Sequence, residues 1–187
     1  MMGKVILDIT MSLDGFIAGP NMGEGGLRLH DWIFGAKTSV DEEIMEETVE
    51  NSGAVIVGGR TYDIAIEEAW GGVSPFLVPA FVVCSEIPKP AKKVPGFTFV
   101  TWGIDSAIAH AREVARGKDV WVMGGANIAQ QFLRAGLFDE LQIHVAPVLF
   151  GRGIRLFEQF GNDRIELKST RVIESPGAVH LRYSVVN

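Results

Sequence analysis

The sequence has a single cysteine, Cys84, in 187 residues. One thiol excludes an internal disulfide and cannot supply the thiolate cluster of a structural zinc site. The histidines are also sparse, and no two of them have a metal-ligand spacing such as H-x-x-x-H: His30, His110, His144 and His180. We therefore expect neither a disulfide framework nor a metal centre.

Long apolar runs and excess positive charge are missing as well. No run of about eighteen apolar residues occurs, as a membrane-spanning helix would need, and the N-terminus MMGKVILDITMSL lacks the apolar stretch of a signal peptide. Lys and Arg total 17 against 23 Asp and Glu, a net charge of −6. Without a basic stripe, this balance argues against a nucleic-acid partner. These absences predict a cytoplasmic protein that acts on a small molecule.

The residues that are present predict one domain over positions 1–187. Hydrophobic residues make up 47% and charged residues 21%, as in globular proteins with a substantial core. Strand-like runs alternate with helical patterns, which is typical of an α/β fold with a mostly parallel sheet flanked by helices. The predicted strands are 4–11, 54–57, 80–84, 97–101, 120–123, 141–150 and a final antiparallel pair, 165–172 and 178–186.

The centre of this organisation is the stretch 120–133, VWVMGGANIAQQFL. Four apolar residues predict a strand that is buried on both faces. Two glycines follow, and then Ile128, Ala129, Phe132 and Leu133 recur on one face of a helix that Gly136 would end. A glycine turn before a helix lets backbone N–H groups approach an anion, which the helix N-terminus also favours. The stretch therefore predicts a phosphate-binding site.

A second copy of this pattern lies at 54–65, AVIVGGRTYDIA. One such turn is often purely structural. If the two strands are neighbours and parallel, however, both helix N-termini open on one edge of the sheet, where ligands of open α/β folds bind. A pair of anion sites suits a dinucleotide with a pyrophosphate group.

Four weaker signals concern the surroundings of this site. The glycine-rich segment 15–30 is interpreted as a loop covering the site, with an ordinary surface excursion as the alternative. Asp31, beside Trp32 and Phe34, is the candidate proton-handling group, because partial desolvation would raise its pKa; the alternative is an N-cap role. The acidic helix 41–50 is interpreted as a solvated face, and His144 as a polar-face strand residue rather than a catalyst.

Helix capping gives one further prediction for the segment that leads into the central stretch. Asp105 or Ser106 is expected to cap a helix over 107–116, which Gly117 would end.

Several segments together resemble a known family: MSLDGFIAG, HDWIFG, VIVGGRTYD and VWVMGGANIAQQFLRAGLFDELQIHVAPVLFGRGIRLFE. They resemble the dihydrofolate reductase-like superfamily, most closely proteins similar to the C-terminal reductase domain of the bifunctional riboflavin-biosynthesis deaminase-reductase. The resemblance spans nearly the whole chain. It implies a three-layer α/β/α fold, NADPH as the hydride donor, and a homodimer.

The resemblance also implies which residues bind the cofactor. The two glycine turns would hold the phosphates, the end of the first strand and the following segment would contact the nicotinamide, and the SLDG turn belongs to the same set: Gly58, Gly59, Arg60, Thr61, Gly124, Gly125, Ala126, Asn127 and Ile128; Thr10, Ile17 and Ala18; Asp14 and Gly15. Arg60 and Ser85 are candidates for the 2′-phosphate that distinguishes NADPH from NADH, whereas Glu86 would favour NADH.

Departures from the family pattern limit the predicted substrate. The riboflavin-pathway enzyme has an Asp-Asp-Pro element after its first glycine turn, where this chain reads YDIAIEE. The zinc-dependent deaminase half is absent, and one cysteine cannot build it. Folate reductases hold the glutamyl tail with an Arg before the next strand, but no Lys or Arg lies between Thr61 and Phe81.

The sequence thus predicts an NADPH-dependent reductase that transfers a hydride to a small pyrimidine- or pterin-like heterocycle. Two alternatives remain open at this point. One is a non-catalytic NADP(H)-binding or regulatory protein on the same fold, and the other is a dihydrofolate reductase. Fold alone does not separate them.

Overall fold

A computed structural model describes residues 2–19, 29–87, 94–158 and 164–186 of the chain. Eight strands form one twisted sheet in the order β5-β4-β3-β6-β1-β7-β10-β9. These strands are β1 Val5–Ser12, β3 Ser52–Gly58, β4 Ala80–Val83, β5 Phe97–Val100, β6 Asp119–Gly124, β7 Glu140–Ala146, β9 Glu166–Glu174 and β10 Val179–Val186. Two short strands, β2 Phe16–Ala18 and β8 Ile154–Arg155, pair separately with each other.

The sheet is parallel from β5 to β7 and antiparallel at its C-terminal end. Five helices lie wholly within the described residues: α1 Asp31–Phe34, α2 Ser39–Asn51, α3 Gly59–Glu68, α4 Ile104–Ala115 and α5 Ala126–Arg134. The largest apolar core lies between the sheet and helices α4 and α5, and it includes Val5 and Leu7 of β1. Helices α1, α2 and α3 cover the opposite face of the sheet. The predicted three-layer α/β/α fold with antiparallel C-terminal strands is confirmed.

The central strands are buried because helices cover both of their faces. Every residue of β3 is buried, and β6 is buried except at its first residue and at Met123. In α5, the predicted apolar face is fully realised, since Ile128, Ala129, Phe132 and Leu133 are all buried. Gly136 follows that helix with a φ of 61°, as expected of a residue that ends a helix in the left-handed region.

The start of α4 differs from the prediction. The helix begins at Ile104, three residues earlier than expected, after an N-cap at Gly103 with a φ of 86°. Neither Asp105 nor Ser106 is therefore the cap, because both lie inside the first turn. The predicted end is confirmed, since Arg116 and Gly117 have φ values of 51° and 89°.

The acidic helix α2 is not simply a solvated face. Thr38 caps it, and the Asp41 side chain accepts a hydrogen bond from the Thr38 backbone N–H in return. Asp41 is only 2% exposed, and Thr48 is buried on the same side. Val49, the next residue, is exposed because it lies on another side of the helix.

The glycine-rich segment after β1 begins with the short strand β2 rather than with a loop. Phe16 and Ala18 pair with β8, so the chain returns along the edge of the cleft described below. The rest of the predicted covering loop, residues 20–28, lies outside the described residues.

Candidate functional site

The two glycine turns come together at one edge of the sheet. Strands β3 and β6 are parallel neighbours, as the duplicated pattern requires, so both turns leave the sheet on the same side. A Cβ atom on Gly58 would lie 3.0 Å from Ile128 Cγ1 and 3.3 Å from the Gly124 carbonyl oxygen. A Cβ atom on Gly125 would lie 3.0 Å from Thr61 Oγ1. Only glycines permit the two turns to approach this closely. The peptide bond that joins Gly124 to Gly125 is cis.

Both following helices present their N-termini at this edge. Gly58 is the N-cap of α3 and Gly125 is the N-cap of α5, and neither helix has a side chain that caps its first turn. The first backbone N–H groups of each helix are therefore left for solvent or for an anion, which the helix dipole also favours. Two anion sites side by side match a pyrophosphate in charge and in extent.

A large cleft opens in front of these turns, with a volume of about 2070 Å³. Most of the residues predicted from the sequence line it: Thr10, Ile17, Ala18, Gly58, Gly59, Arg60, Thr61, Ser85, Gly125, Ala126, Asn127 and Ile128. The cleft continues between α2 and α3 along the face of the sheet, where Asp8 and Trp121 form part of its floor. It therefore joins the glycine turns to a second region, which is wide enough for a heterocycle.

Arg60, Ser85 and Glu86 all line the cleft and are all exposed. A cation, a hydroxyl and a carboxylate thus face the same region, as the sequence predicted, and the choice between NADPH and NADH stays a prediction. Cys84, the residue before Ser85, is half-buried rather than a core residue. Burial raises the pKa of its thiol, and the nearby Asp63 raises this pKa further, so the side chain is a neutral thiol.

Four predicted site residues do not line the cleft: Asp14, Gly15, Asp31 and Gly124. Asp14 instead fixes two loops to each other, because its carboxylate accepts hydrogen bonds from Ser12 Oγ and from the backbone N–H groups of Phe150 and Gly151. The Ser12 hydroxyl is the main reason why the pKa of Asp14 falls from 3.8 to about 2, against the smaller opposing effect of burial. Asp14 thus positions the turn next to β2.

The expectation for Asp31 is wrong in its physical premise. Asp31 is the first residue of α1 and is exposed, so the apolar neighbours do not desolvate it. The N-cap alternative is also wrong, because the cap is His30. Trp32, one residue later, is the side chain that turns inward and is 1% exposed.

A chain of four buried ionisable groups lies beneath the cleft, and the sequence did not predict it. His144 Nε2 is 3.2 Å from Asp8 Oδ1, His144 Nδ1 is 2.7 Å from His180 Nδ1, and His180 Nε2 is 3.2 Å from Asp41 Oδ1. All four side chains are at most 6% exposed. His144, interpreted as an ordinary polar-face residue, is therefore the inner link of a continuous hydrogen-bonded chain.

The indole of Trp32 covers this chain. Its ring centroid is 4.4 Å from that of His144 and 4.9 Å from that of His180. Its Nε1–H donates to Thr10 Oγ1 at 3.1 Å, which fixes the ring against β1. Because Trp32 also lines the cleft, it separates the histidines from the ligand space and leaves Asp8 as the member of the chain that reaches the cleft.

The sequence does contain a pattern that indicates these four buried, hydrogen-bonded side chains. Asp8 and Thr10 alternate with apolar residues on β1, Gln142 and His144 do so on β7, and His180 lies opposite His144 on β10. Polar side chains on three adjacent strands, all facing a helix-covered side of the sheet, require partners inside the protein. Recognising this from the sequence requires the strand order, which local patterns do not provide.

Two further searches cover the described part of the chain. No helix there combines the length and apolarity needed to cross a membrane. Within the same residues, no three His, Cys, Asp or Glu side chains converge as ligands of a metal ion would.

Comparisons with known proteins agree with this architecture. Uncharacterized protein YwjB of Bacillus subtilis (strain 168) is 29% identical over 183 residues, which cover 96% of this chain and 97% of that protein. Uncharacterized protein YyaP of the same organism is 26% identical over 202 residues, covering 96% of this chain and 94% of its own.

Solved structures show the same fold. A putative riboflavin biosynthesis protein from Shewanella sp. PV-4 superposes with a TM-score of 0.77 at 21% identity, over 98% of this chain and 99% of that chain. A diaminohydroxyphosphoribosylaminopyrimidine deaminase/5-amino-6-(5-phosphoribosylamino)uracil reductase from Thermotoga maritima gives a TM-score of 0.66 at 16% identity, over 99% of this chain and 57% of that longer one. The family described as RibD C-terminal domain matches residues 3–181. The chain therefore belongs to the RibD C-terminal domain family, as its sequence motifs suggested.

Proposed function

We propose that the protein is an NADPH-dependent reductase that transfers a hydride to a small pyrimidine- or pterin-like heterocycle. One observation carries this proposal. The two glycine turns are in contact with each other, and the helices that follow them begin at the cleft without a side chain that caps either N-terminus. Membership of a family that includes reductases supports it.

The residues at the two turns fit a dinucleotide cofactor. Side chains at Gly58 or Gly125 would fill the space between the turns, so their absence keeps both sets of backbone N–H groups open toward the cleft. Arg60, next to them, can hold a phosphate with its planar guanidinium group. When bound, the cofactor supplies two electrons and a hydrogen as a hydride. The chain itself supplies position, shape and electrostatics.

The other end of the cleft fits a flat polar ring. Thr10, Ile17 and Ala18, which the resemblance assigns to the nicotinamide, line the cleft next to the glycine turns, since a Cβ atom on Gly125 would lie 3.6 Å from Ile17 Cδ1. Beyond them, Trp32 lines the cleft, and Asp8 and Trp121 form part of its floor. Aromatic walls exclude water and pack against a conjugated ring, while one polar group orients it.

The Thermotoga maritima protein of known structure bears the name of a 5-amino-6-(5-phosphoribosylamino)uracil reductase. This compound, or a close pyrimidine analogue, is therefore the first substrate to test. The absence of Lys and Arg between Thr61 and Phe81 argues against folate, whose anionic tail would have no cation there.

The test is NADPH oxidation by the purified protein against a panel of phosphoribosylaminopyrimidines, ribitylaminopyrimidines, pterins and dihydrofolate. NADPH binding is measured in parallel by fluorescence. Binding together with oxidation that depends on one pyrimidine or pterin supports the proposal. Binding without oxidation by any member of the panel would favour the non-catalytic alternative, and failure to bind NADPH would contradict both.

A further inference from the structure

The chain Asp8–His144–His180–Asp41 contains three contacts between ionisable groups, and each needs one hydrogen between its two heavy atoms. Two neutral imidazoles between two carboxylates carry only two such hydrogens. One contact would then bring two bare acceptors together in a buried place, at a cost of about 1–3 kcal/mol or more. A fully bonded chain therefore holds three hydrogens, one more than two carboxylates and two neutral imidazoles provide.

The pKa directions indicate which end carries the additional proton. Burial lowers the pKa of His180, and the charge of a protonated His144 lowers it further, although Asp41 opposes both effects. Burial raises the pKa of Asp41, but hydrogen bonds from Ser175, Thr38 and His180 outweigh it, and the pKa of Asp41 is lowered. His180 is thus a neutral imidazole beside the carboxylate of Asp41. If His180 donates from Nε2 to Asp41 and accepts at Nδ1 from His144, the third hydrogen lies in the contact between His144 and Asp8.

The remaining charges on this face do not compete for that proton. Arg171 and Arg182 both pair with Glu47, whose carboxylate is bonded to each of them. Arg182 also donates to the Gln142 side chain at 3.2 Å. Thr48 Oγ1 donates to Asp8 Oδ2 at 3.1 Å, which holds the Asp8 carboxyl group in place without supplying a charge.

Asp8 connects this chain with the cleft. Its side chain is 6% exposed, and this small exposed part belongs to the cleft floor, whereas the two histidines are shielded by Trp32. At the opposite end, His180 Nε2 is also 3.3 Å from the hydroxyl of Ser175, which is half-buried on the turn between β9 and β10. The chain therefore runs from the ligand space toward a surface turn.

We propose that the buried chain Asp8–His144–His180–Asp41 stores one additional proton and delivers it through Asp8 to the substrate atom that becomes protonated during reduction. This inference rests on the proposed reductase function and adds the proton source to it. It replaces Asp31, which is exposed, as the proton-handling carboxyl group.

The reaction balances as follows. Reduction of a C=N or C=O bond adds a hydride to carbon from the dihydronicotinamide and a proton to the nitrogen or oxygen. The O–H bond of Asp8 breaks, the new N–H or O–H bond of the product forms, and Asp8 becomes a carboxylate. Once the product has left, a proton from water in the cleft restores the hydrogen between Asp8 and His144, and no hydrogen has to pass either imidazole ring.

The first test counts the protons without any turnover. Imidazole 15N shifts of His144 and His180, together with the 13C shift of the Asp8 carboxyl carbon, are recorded at neutral pH. We expect His144 protonated at Nδ1, His180 bare at Nδ1 and protonated at Nε2, and one further proton on either His144 Nε2 or Asp8. An ionised Asp8 facing a bare His144 Nε2, or two bare Nδ1 atoms, would overturn the proposal.

The second test uses NADPH and a substrate that the wild-type protein reduces. Asp8→Asn keeps the size of the side chain but cannot give up a proton, so kcat should fall by about 100-fold or more, while the NADPH dissociation constant is unchanged. His144→Asn removes the imidazole that faces Asp8. Its loss in kcat should grow as pH rises, because Asp8 loses the hydrogen-bonding partner that keeps the additional proton in that contact.

Phe138→Leu is the control for lost packing, since Phe138 is buried before β7, at the edge of the sheet remote from the cleft. It should lower stability and leave kcat and its pH profile unchanged. Wild-type kcat in Asp8→Asn would overturn the proposal. If the wild-type protein reduces no member of the panel, the proposed function fails, while the NMR measurement still decides whether the third proton is there.

Discussion

Thr61 Oγ1 lies 3.0 Å from the point that a Cβ atom on Gly125 would occupy, although the two residues belong to different glycine turns. This contact joins the start of α3 to the turn before α5. The two glycine turns are therefore packed against each other, and a substitution in either turn should affect the other.

Gly125→Ala should destabilise the protein by about 1–3 kcal/mol, because the added methyl group overpacks the contact with Thr61. Thr61→Ala removes the atom that the methyl group meets. In the double variant, the penalty of Gly125→Ala should therefore shrink, giving a coupling energy of about 0.5–3 kcal/mol. Urea unfolding of the wild type, both single variants and the double variant measures this coupling. If the changes in the free energy of unfolding are strictly additive, the two turns do not interact.

Arg60→Ala should weaken NADPH binding by about 1.5–3 kcal/mol and change NADH binding little, because a charge-assisted hydrogen bond to the 2′-phosphate is lost. Fluorescence titration with both cofactors is the measurement. Arg152→Ala, an exposed arginine outside the cleft, serves as the charge-matched control. Equal losses for NADPH and NADH would instead place Arg60 on the pyrophosphate, and no loss for either would remove it from the site.

Asp14→Asn should lower the melting temperature at neutral pH, because the carboxylate holds Ser12 and the backbone of Phe150 and Gly151. The pKa of Asp14 is about 2 in the folded protein, below its ordinary value of 3.8. Its contribution is therefore complete above pH 3.8 and disappears as pH falls through about 2.

Melting curves of the wild type and Asp14→Asn between pH 7 and pH 2 check this prediction. The difference between them should close at the acid end. Glu43→Gln, at an exposed position of α2, should show no such closing gap. A difference that persists unchanged to the lowest pH would mean that the carboxylate charge is not what stabilises the turn.

The C-terminal edge of the sheet is the expected dimer surface. β9 has no neighbour on its outer side in the sheet order, and Val172 on it is 59% exposed. Such an edge needs a cover, and the family resemblance implies a homodimer. Sedimentation should give about twice the 20.3 kDa of one chain. Val172→Glu should shift the protein toward monomer, whereas Val114→Glu on α4 should not. A wild-type mass near one chain would contradict the prediction.

The parts of this architecture that the sequence predicted are those encoded locally. A buried run, two glycines and one apolar helix face stand next to each other in residues 120–133, so both the turn and α5 could be recognised. The parallel pairing of β3 with β6 was only a condition of the dinucleotide prediction, because neither copy of the pattern specifies which strand lies beside it.

The buried chain could not be found in this way, because its members are far apart in sequence. Asp8 and His144 are separated by 136 residues, and His180 and Asp41 by 139. Asp31 was favoured for its apolar neighbours in sequence, but a helix sends adjacent residues to different sides, and it is Trp32 that faces the core. Burial of a carboxylate depends on the packing of several elements, which local sequence does not specify.

Transfer of deuterium from NADPH labelled at the reactive C4 position tests the central claim most directly. The protein, the labelled cofactor and the pyrimidine or pterin that supports oxidation are incubated together, and the product is analysed by mass spectrometry. The account predicts one deuterium on carbon that is not lost to water, in step with NADPH consumed. A product without deuterium, or bound NADPH that is never consumed with any member of the panel, would contradict it.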